Sequence, residues 1–294
     1  MMKKNNFFAA AVISLIFLVF SACSSAPKRP MVVTDSYNLS YSRLELANNE
    51  LIAGDLKNAG LHLSESYDLA LSIDNSSLLT KISLSGVMYK ISAEKNPEEA
   101  VSQPAAGFLQ FHKQEIYTDA EAFARRSEQK DELLDLCSIY QVQIKLSEKQ
   151  GEKNTLLSQL SSAEKSVAKE PYYLAFLNRT RGDVYMLSGD YSSAEKAYLQ
   201  AADIHTKNRY LAEIGLDWYC VARSRSLMGD KSGARSAIET ALKFDRDAEN
   251  TAAIILDYEA YSKILLKGSP TEAEQKMAAE LSEWAKKIST TVRK

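Results

Sequence analysis

The chain has 294 residues, 45% of them hydrophobic and 25% charged. These are the values of an ordinary globular protein, and they exclude a disordered tail or a polytopic membrane protein. Lys and Arg total 36 against 38 Asp and Glu, so no basic excess points to nucleic acid. Gly (11) and Pro (6) together reach roughly half of ordinary usage, which disfavours turn-rich β folds and favours helix.

Lys3 and Lys4 make the N-terminus positive, and Phe7 to Phe20 is an apolar run of 14 residues broken only by Ser14. That is the length of a signal-peptide core, short of the roughly 20 residues that span a bilayer. Ser21, Ala22 and Cys23 come next. The stretch Phe20-Ser21-Ala22-Cys23 resembles the lipobox of bacterial lipoproteins, with Phe20 standing where Leu is usual. The resemblance implies export, cleavage before Cys23, and a diacylglyceryl thioether and acyl chain such as palmitate on Cys23. Residues 1–22 are then a signal peptide. Residues 23–35, with Ser24, Ser25, Pro27 and Pro30, read as a lipidated, flexible tether. Removing Lys3 and Lys4 leaves 34 cations against 38 anions and a net charge of −4. Ser24, where Asp would retain a lipoprotein at the inner membrane, favours the outer membrane, on its periplasmic or its surface face.

Beyond residue 36 the chain repeats. Gly54-Asp55-Leu56 with Ala59 and Leu63 marks a first helix-turn-helix. Gly86 and Tyr89 mark a second, with its turn at 93. Asn96-Pro97-Glu98-Glu99 reads as a helix start, and Pro104 and Gly107 interrupt the stretch after it. Gly151 with Leu156 marks a weaker unit, and Glu170-Pro171 separates two helical stretches. The strongest unit carries Gly182, Tyr185, Gly189, Tyr191, Ala194, Tyr198 and Ala201. Trp218, Ala222, Gly229, Ala234, Ile238 and Ala241 repeat it, and Gly268, Ala273 and Met277 repeat it again. Asp55, Asp190 and Asp230 each come directly after a turn glycine and suit a helix N-cap. Ser269-Pro270-Thr271-Glu272 reads as a capping box with Pro at the first helical position.

Residues 181–201 resemble a tetratricopeptide repeat. The resemblance implies an all-α solenoid of helix-turn-helix units over residues 36–294, about six helix pairs. Turns at 54, 93, 151, 189, 229 and 268 are spaced by 39, 58, 38, 40 and 39 residues, against about 34 in the family. Lengthened helices are expected. The interval of 58 predicts one extra helix or an irregular insertion between residues 97 and 130.

Chemistry is sparse. His62, His112 and His205 have no His or Cys partner at ligand spacing, so no metal site is expected. His205 suits the C-terminal end of a helix dipole. Cys137 and Cys220 lie in apolar helical stretches about two repeats apart and read as free buried thiols. No phosphate loop, nucleophile elbow or zinc-protease motif is present. No catalytic residue and no cofactor beyond the acyl lipid are expected, and the chain does not read as an enzyme.

The tetratricopeptide resemblance places the first helix of each pair on a concave face. Carried over by position, that face shows Phe176, Arg179, Asp183 and Met186, then Leu216, Tyr219, Arg223 and Ser226, then Ile255, Tyr258, Ser262 and Leu265. Aromatic and Arg side chains are the types enriched at protein interfaces. Phe176, Arg179, Asp183, Tyr219, Arg223 and Tyr258 are therefore the expected partner-binding residues. The pattern lacks the Lys/Asn clamp by which chaperone-binding members hold a C-terminal carboxylate. The expected role is a non-catalytic scaffold that binds other envelope or periplasmic proteins, or a second copy of itself. The alternative is a ligand-binding or transport-associated component, of the kind that partners TRAP-type transporters, enclosing a small apolar molecule or a pore.

Overall fold

The computed structural model describes residues 35–96 and 107–292. Among the described residues there are twelve α-helices, one 3-10 turn and no strand. The helices run in six consecutive pairs. They are α1 (Asp35–Ala53) with α2 (Leu56–Ser72), α3 (Ser76–Lys95) with α4 (Lys113–Arg126), and α5 (Lys130–Ser147) with α6 (Lys153–Val167). Then come α7 (Pro171–Leu187) with α8 (Tyr191–Asn208), α9 (Leu211–Met228) with α10 (Lys231–Asp247), and α11 (Thr251–Leu265) with α12 (Glu272–Val292). From α2 onward each helix packs on the next in chain order. First helices also touch across pairs, α3 on α5, α5 on α7 and α9 on α11. This is the layout of an all-α solenoid.

Local sequence explains the elements. In α8 the buried residues are Ala194, Ala197, Tyr198, Ala201, Ala202 and His205, a single stripe at helical spacing. In α10 the stripe is Ala234, Ala237, Ile238, Ala241, Leu242 and Asp245. Between the helices of a pair, Gly54, Gly151, Gly189, Gly229 and Gly268 all have φ between 75° and 94°, where a residue without Cβ is unstrained. The Asp carboxylates behind them cap the second helix as expected. Asp55 accepts from the Asn58 N–H at 3.0 Å, Asp190 from Ser193 at 3.2 Å and Asp230 from Gly233 at 2.8 Å. Pro171 opens α7. The small residues fall where helices cross. A Cβ on Gly182 would collide with the Tyr198 ring, and one on Gly86 with the Phe108 ring.

Two expectations are corrected, and a third takes one of its two expected forms. Residue 93 is not a turn, because α3 continues to Lys95 with Asn96 as its C-cap. Of the two forms expected for the interval of 58, the described residues show the irregular insertion and no additional helix. The interval lengthens because the link between α3 and α4 runs from 96 to 112. The described end of that link is a 3-10 turn, Gly107–Gln110, which plugs Phe108 and Leu109 into the core. There Phe108 stacks on Tyr67 at 4.3 Å, and Lys90 donates to the Leu109 carbonyl at 2.9 Å. Residues 97–106, with the expected start at Pro97, lie outside the described residues. The last capping box is Thr271 with Glu274, not Ser269 with Glu272. The Thr271 N–H donates to Glu274 Oε2 at 2.7 Å, and the Glu274 N–H donates to Thr271 Oγ1 at 3.2 Å.

The first helix does more than start the array. Side chains tie it to α2, with Ser40 and Ser66 exchanging hydrogen bonds and Arg43 pairing with Glu65 at 3.0 Å. Its C-terminal end lies beside the far end of the array, where a Cβ built on Gly54 would stand 3.4 Å from that of Ala252 in α11.

Candidate functional site

Most of the apolar core falls into two clusters, one running from Leu44 to Val184 and the other from Ala194 to Ala278. Between them lies a polar layer held by α7, α8 and α9. Arg179 on α7 pairs with Glu213 and, at 3.3 Å, with Asp217, both on α9. His205 Nδ1 on α8 lies 2.6 Å from the other Asp217 oxygen. All four residues are buried. Burial works against ionisation of Glu213, but Arg179 and then His205 outweigh it and hold the carboxyl below the usual range. Next to this layer, Asp183 accepts from the Tyr198 hydroxyl at 2.7 Å and from Gln143 at 3.2 Å.

That layer decides the fate of the expected binding residues. Phe176 is buried, its ring 4.9 Å from Tyr140, with the Arg179 guanidinium 5.8 Å from its face. Arg179 is committed to its two carboxylates and Asp183 to Tyr198. Tyr258 is buried in a small cluster with Leu242 and Ala285, its hydroxyl bonded to Arg246. These four hold the array together rather than face outward. His205, expected at most to serve a helix dipole, is a buried partner of Asp217.

Tyr219 and Arg223 are different. With Ala222, Ser226 and Leu227 of α9, and Ala260, Lys263 and Ile264 of α11, they line a groove of about 250 Å³. Tyr219 is half-buried and Arg223 exposed. Arg223 makes no salt bridge among the described residues, and Lys263 has only Glu259, 3.9 Å away on its own helix. The floor is apolar and the rim cationic. Leu187, Leu227 and Leu266 stand at the turn ends of α7, α9 and α11, 44–50% exposed, about one repeat apart. Sequence reasoning missed Lys263 and this leucine row, although the steady spacing of 187, 227 and 266 was the signal.

A second, larger cleft of about 610 Å³ lies between the C-terminal half of α1 and the tips where α7, α9 and α11 begin. Tyr172, Tyr210 and Glu213 stand on it, opposite Leu46 and Ala53.

Among the described residues no cluster of His, Cys, Asp and Glu is arranged to hold a metal. Cys137 and Cys220 are free, and burial pushes both thiols up, Cys137 to about 12. Neither is a thiolate at neutral pH. Among the described residues no helix is long and apolar enough to cross a membrane. Cys23 lies outside the described residues.

No protein-family model matches the chain, and no curated protein matches it. Among solved structures the chain is similar to BtubC (BKLC) from P. vanneervenii, at 12% identity and a TM-score of 0.54, over 88% of this chain and 93% of that one. At that identity the likeness is one of fold.

Proposed function

We propose that this chain is a non-catalytic scaffold of the tetratricopeptide type, anchored through a lipidated Cys23 in a bacterial envelope, which binds a partner protein in the groove between α9 and α11. The observation that carries the reading is the pairing of an apolar floor with two cations, Arg223 and Lys263, that have little or no internal use. Among the described residues Arg223 has no ion pair to give up and Lys263 only a long one on its own helix, so both can turn to an acidic partner. The mature chain as a whole carries a net charge of −4, so this cationic groove runs against the average of the surface. The partner it fits is a segment with aliphatic or aromatic side chains flanked by Asp or Glu. Charge reversal tests this. The double variant Arg223→Glu, Lys263→Glu should fold normally and lose the envelope protein that co-purifies with the wild type after crosslinking. Retention of that protein would remove the groove from the account. Lipidation is tested separately: Cys23→Ser should abolish acyl-chain labelling.

A ligand-binding component is the second reading. The larger cleft beside α1 favours it.

A further inference from the structure

We infer that a second copy of this chain docks on the α11–α12 end of the array, with the two α12 helices antiparallel across a two-fold axis. The inference goes beyond the groove reading, and its failure would leave the α9–α11 groove untouched.

The array itself shows what such an end receives. The helices α5, α7 and α11 each pack on both helices of the pair before them. The incoming helix also bonds to charged side chains on the second helix of that pair. Arg181 of α7 pairs with Glu164 of α6 at 2.9 Å, and the Tyr261 hydroxyl of α11 donates to Glu239 of α10. The last pair offers the same kind of seat. It is a cleft of about 410 Å³, with Ile255 and Ser262 of α11 on one side and Ser282, Ala285, Lys286 and Ser289 of α12 on the other. Ser262 and Ala285 are buried at its floor, while Ser282 and Lys286 are exposed on its wall. Among the described residues no helix fills it.

Charge selects the occupant. Lys286 makes no salt bridge among the described residues, and across the cleft Lys263 has only Glu259, 3.9 Å away. Glu283 is exposed as well and makes no salt bridge among the described residues. Three residues apart, Glu283 and Lys286 stand on the same side of α12. Exposed Lys276, Glu280 and Lys287 continue the mixture of signs along the helix. A wholly acidic or wholly basic partner would meet like charge somewhere on this edge. The edge matches a copy of itself, because a two-fold axis brings one surface patch against the same patch reversed. An axis passing between Trp284 and Ala285 sets each Lys286 against the partner's Glu283, so the pair forms twice. Ala279, on the same edge and exposed, presents no bulk to hold the helices apart.

Sedimentation equilibrium of the full chain, in detergent matched in density to the buffer, tests the inference. A dimer is expected. Lys286→Glu surrounds the axis with four carboxylates and should weaken the dimer about tenfold or more. Combining Lys286→Glu with Glu283→Lys exchanges the two signs and should restore it. Both positions are exposed, so the helical circular dichroism of these variants should match the wild type. Ser282→Trp, which fills the seat, should also yield monomer. Arg223→Glu, in the α9–α11 groove, should leave the dimer intact. A wild type that stays monomeric at about 0.1 mM, where even a weak pair associates, would overturn the proposal. So would a dimer indifferent to Lys286→Glu, or one that the exchanged pair fails to restore.

Discussion

Gly54, which ends the first pair's opening helix, lies against Ala252 at the start of the last pair; a Cβ on Gly54 would make ordinary van der Waals contact, 3.4 Å from that of Ala252. The two residues are almost 200 positions apart in sequence. In a solenoid, units normally touch only their neighbours. Here α1 reaches across to the tips of α9 and α11 and forms one wall of the cleft that Glu213 and Asn250 face.

This contact is testable by crowding it. Ala252→Arg should push α1 off the tip of α11 and cost about 1–3 kcal/mol, as overpacking generally does. Hydrogen exchange is the measurement. Faster exchange in α1, with α5 and α6 unchanged, is expected. Unchanged exchange in α1 would show that the first helix holds its place without α11.

The crossing of α7 and α8 depends on the absence of a side chain at 182. Gly182→Ala should destabilise the protein by about 1–3 kcal/mol, because the added Cβ meets the ring of buried Tyr198. The same change at Gly189, where nothing lies within 4 Å but φ is +78°, should cost about 1 kcal/mol through backbone strain alone. Urea denaturation of both variants distinguishes a packing cost from a conformational one.

Arg179 pairs with two buried carboxylates. Arg179→Met should cost about 3–5 kcal/mol, the typical penalty for leaving buried charge without its partner. Adding Glu213→Gln and Asp217→Asn to the same chain should restore much of that loss. Failure of the triple variant to recover would mean that the layer acts by shape rather than by charge.

Asp245 and Asp257 form the second buried acidic feature. Burial raises both, Asp245 to about 6 and Asp257 to about 9, the latter also through the neighbouring Asp245. Gly215 leaves the space that Asp245 fills. The folded protein therefore keeps protons that the unfolded chain releases near pH ~4. The stability this pair confers is thus greatest at acid pH and falls as pH rises toward 9, by about 1.4 kcal/mol per pH unit for each proton held. Asp257→Asn should flatten this slope and leave the variant more stable than the wild type at pH 8. A wild type whose stability does not change between pH 5 and 9 would contradict it.

The helical array was clear in the sequence because its punctuation is local. A turn glycine with Asp directly after it, as at Gly189-Asp190, satisfies one backbone need and then another within two residues, and alternatives are few. The second pair was harder to read, because its turn is replaced by the link from 96 to 112 and the space left by Gly86 is filled by Phe108 from that link, a contact no periodicity announces. The binding face was legible only in part. Repeat position puts Phe176 and Arg179 on the same footing as Tyr219 and Arg223. What separates them is the neighbour: α9 brings Glu213 and Asp217 to Arg179, whereas Arg223 makes no salt bridge among the described residues. The cleft beside α1 left no trace in the sequence, since α1 lies more than 100 residues before the segments that face it.

The most direct test of the scaffold reading is site-specific photo-crosslinking in cells, with the reactive side chain placed at position 223 and, as a control, at position 165 on α6. One envelope protein crosslinked from 223 and not from 165, and lost when Lys263 is reversed to Glu, is the expected result. Equal crosslinking from both positions, or adducts between copies of this chain alone, would contradict a dedicated partner groove between α9 and α11.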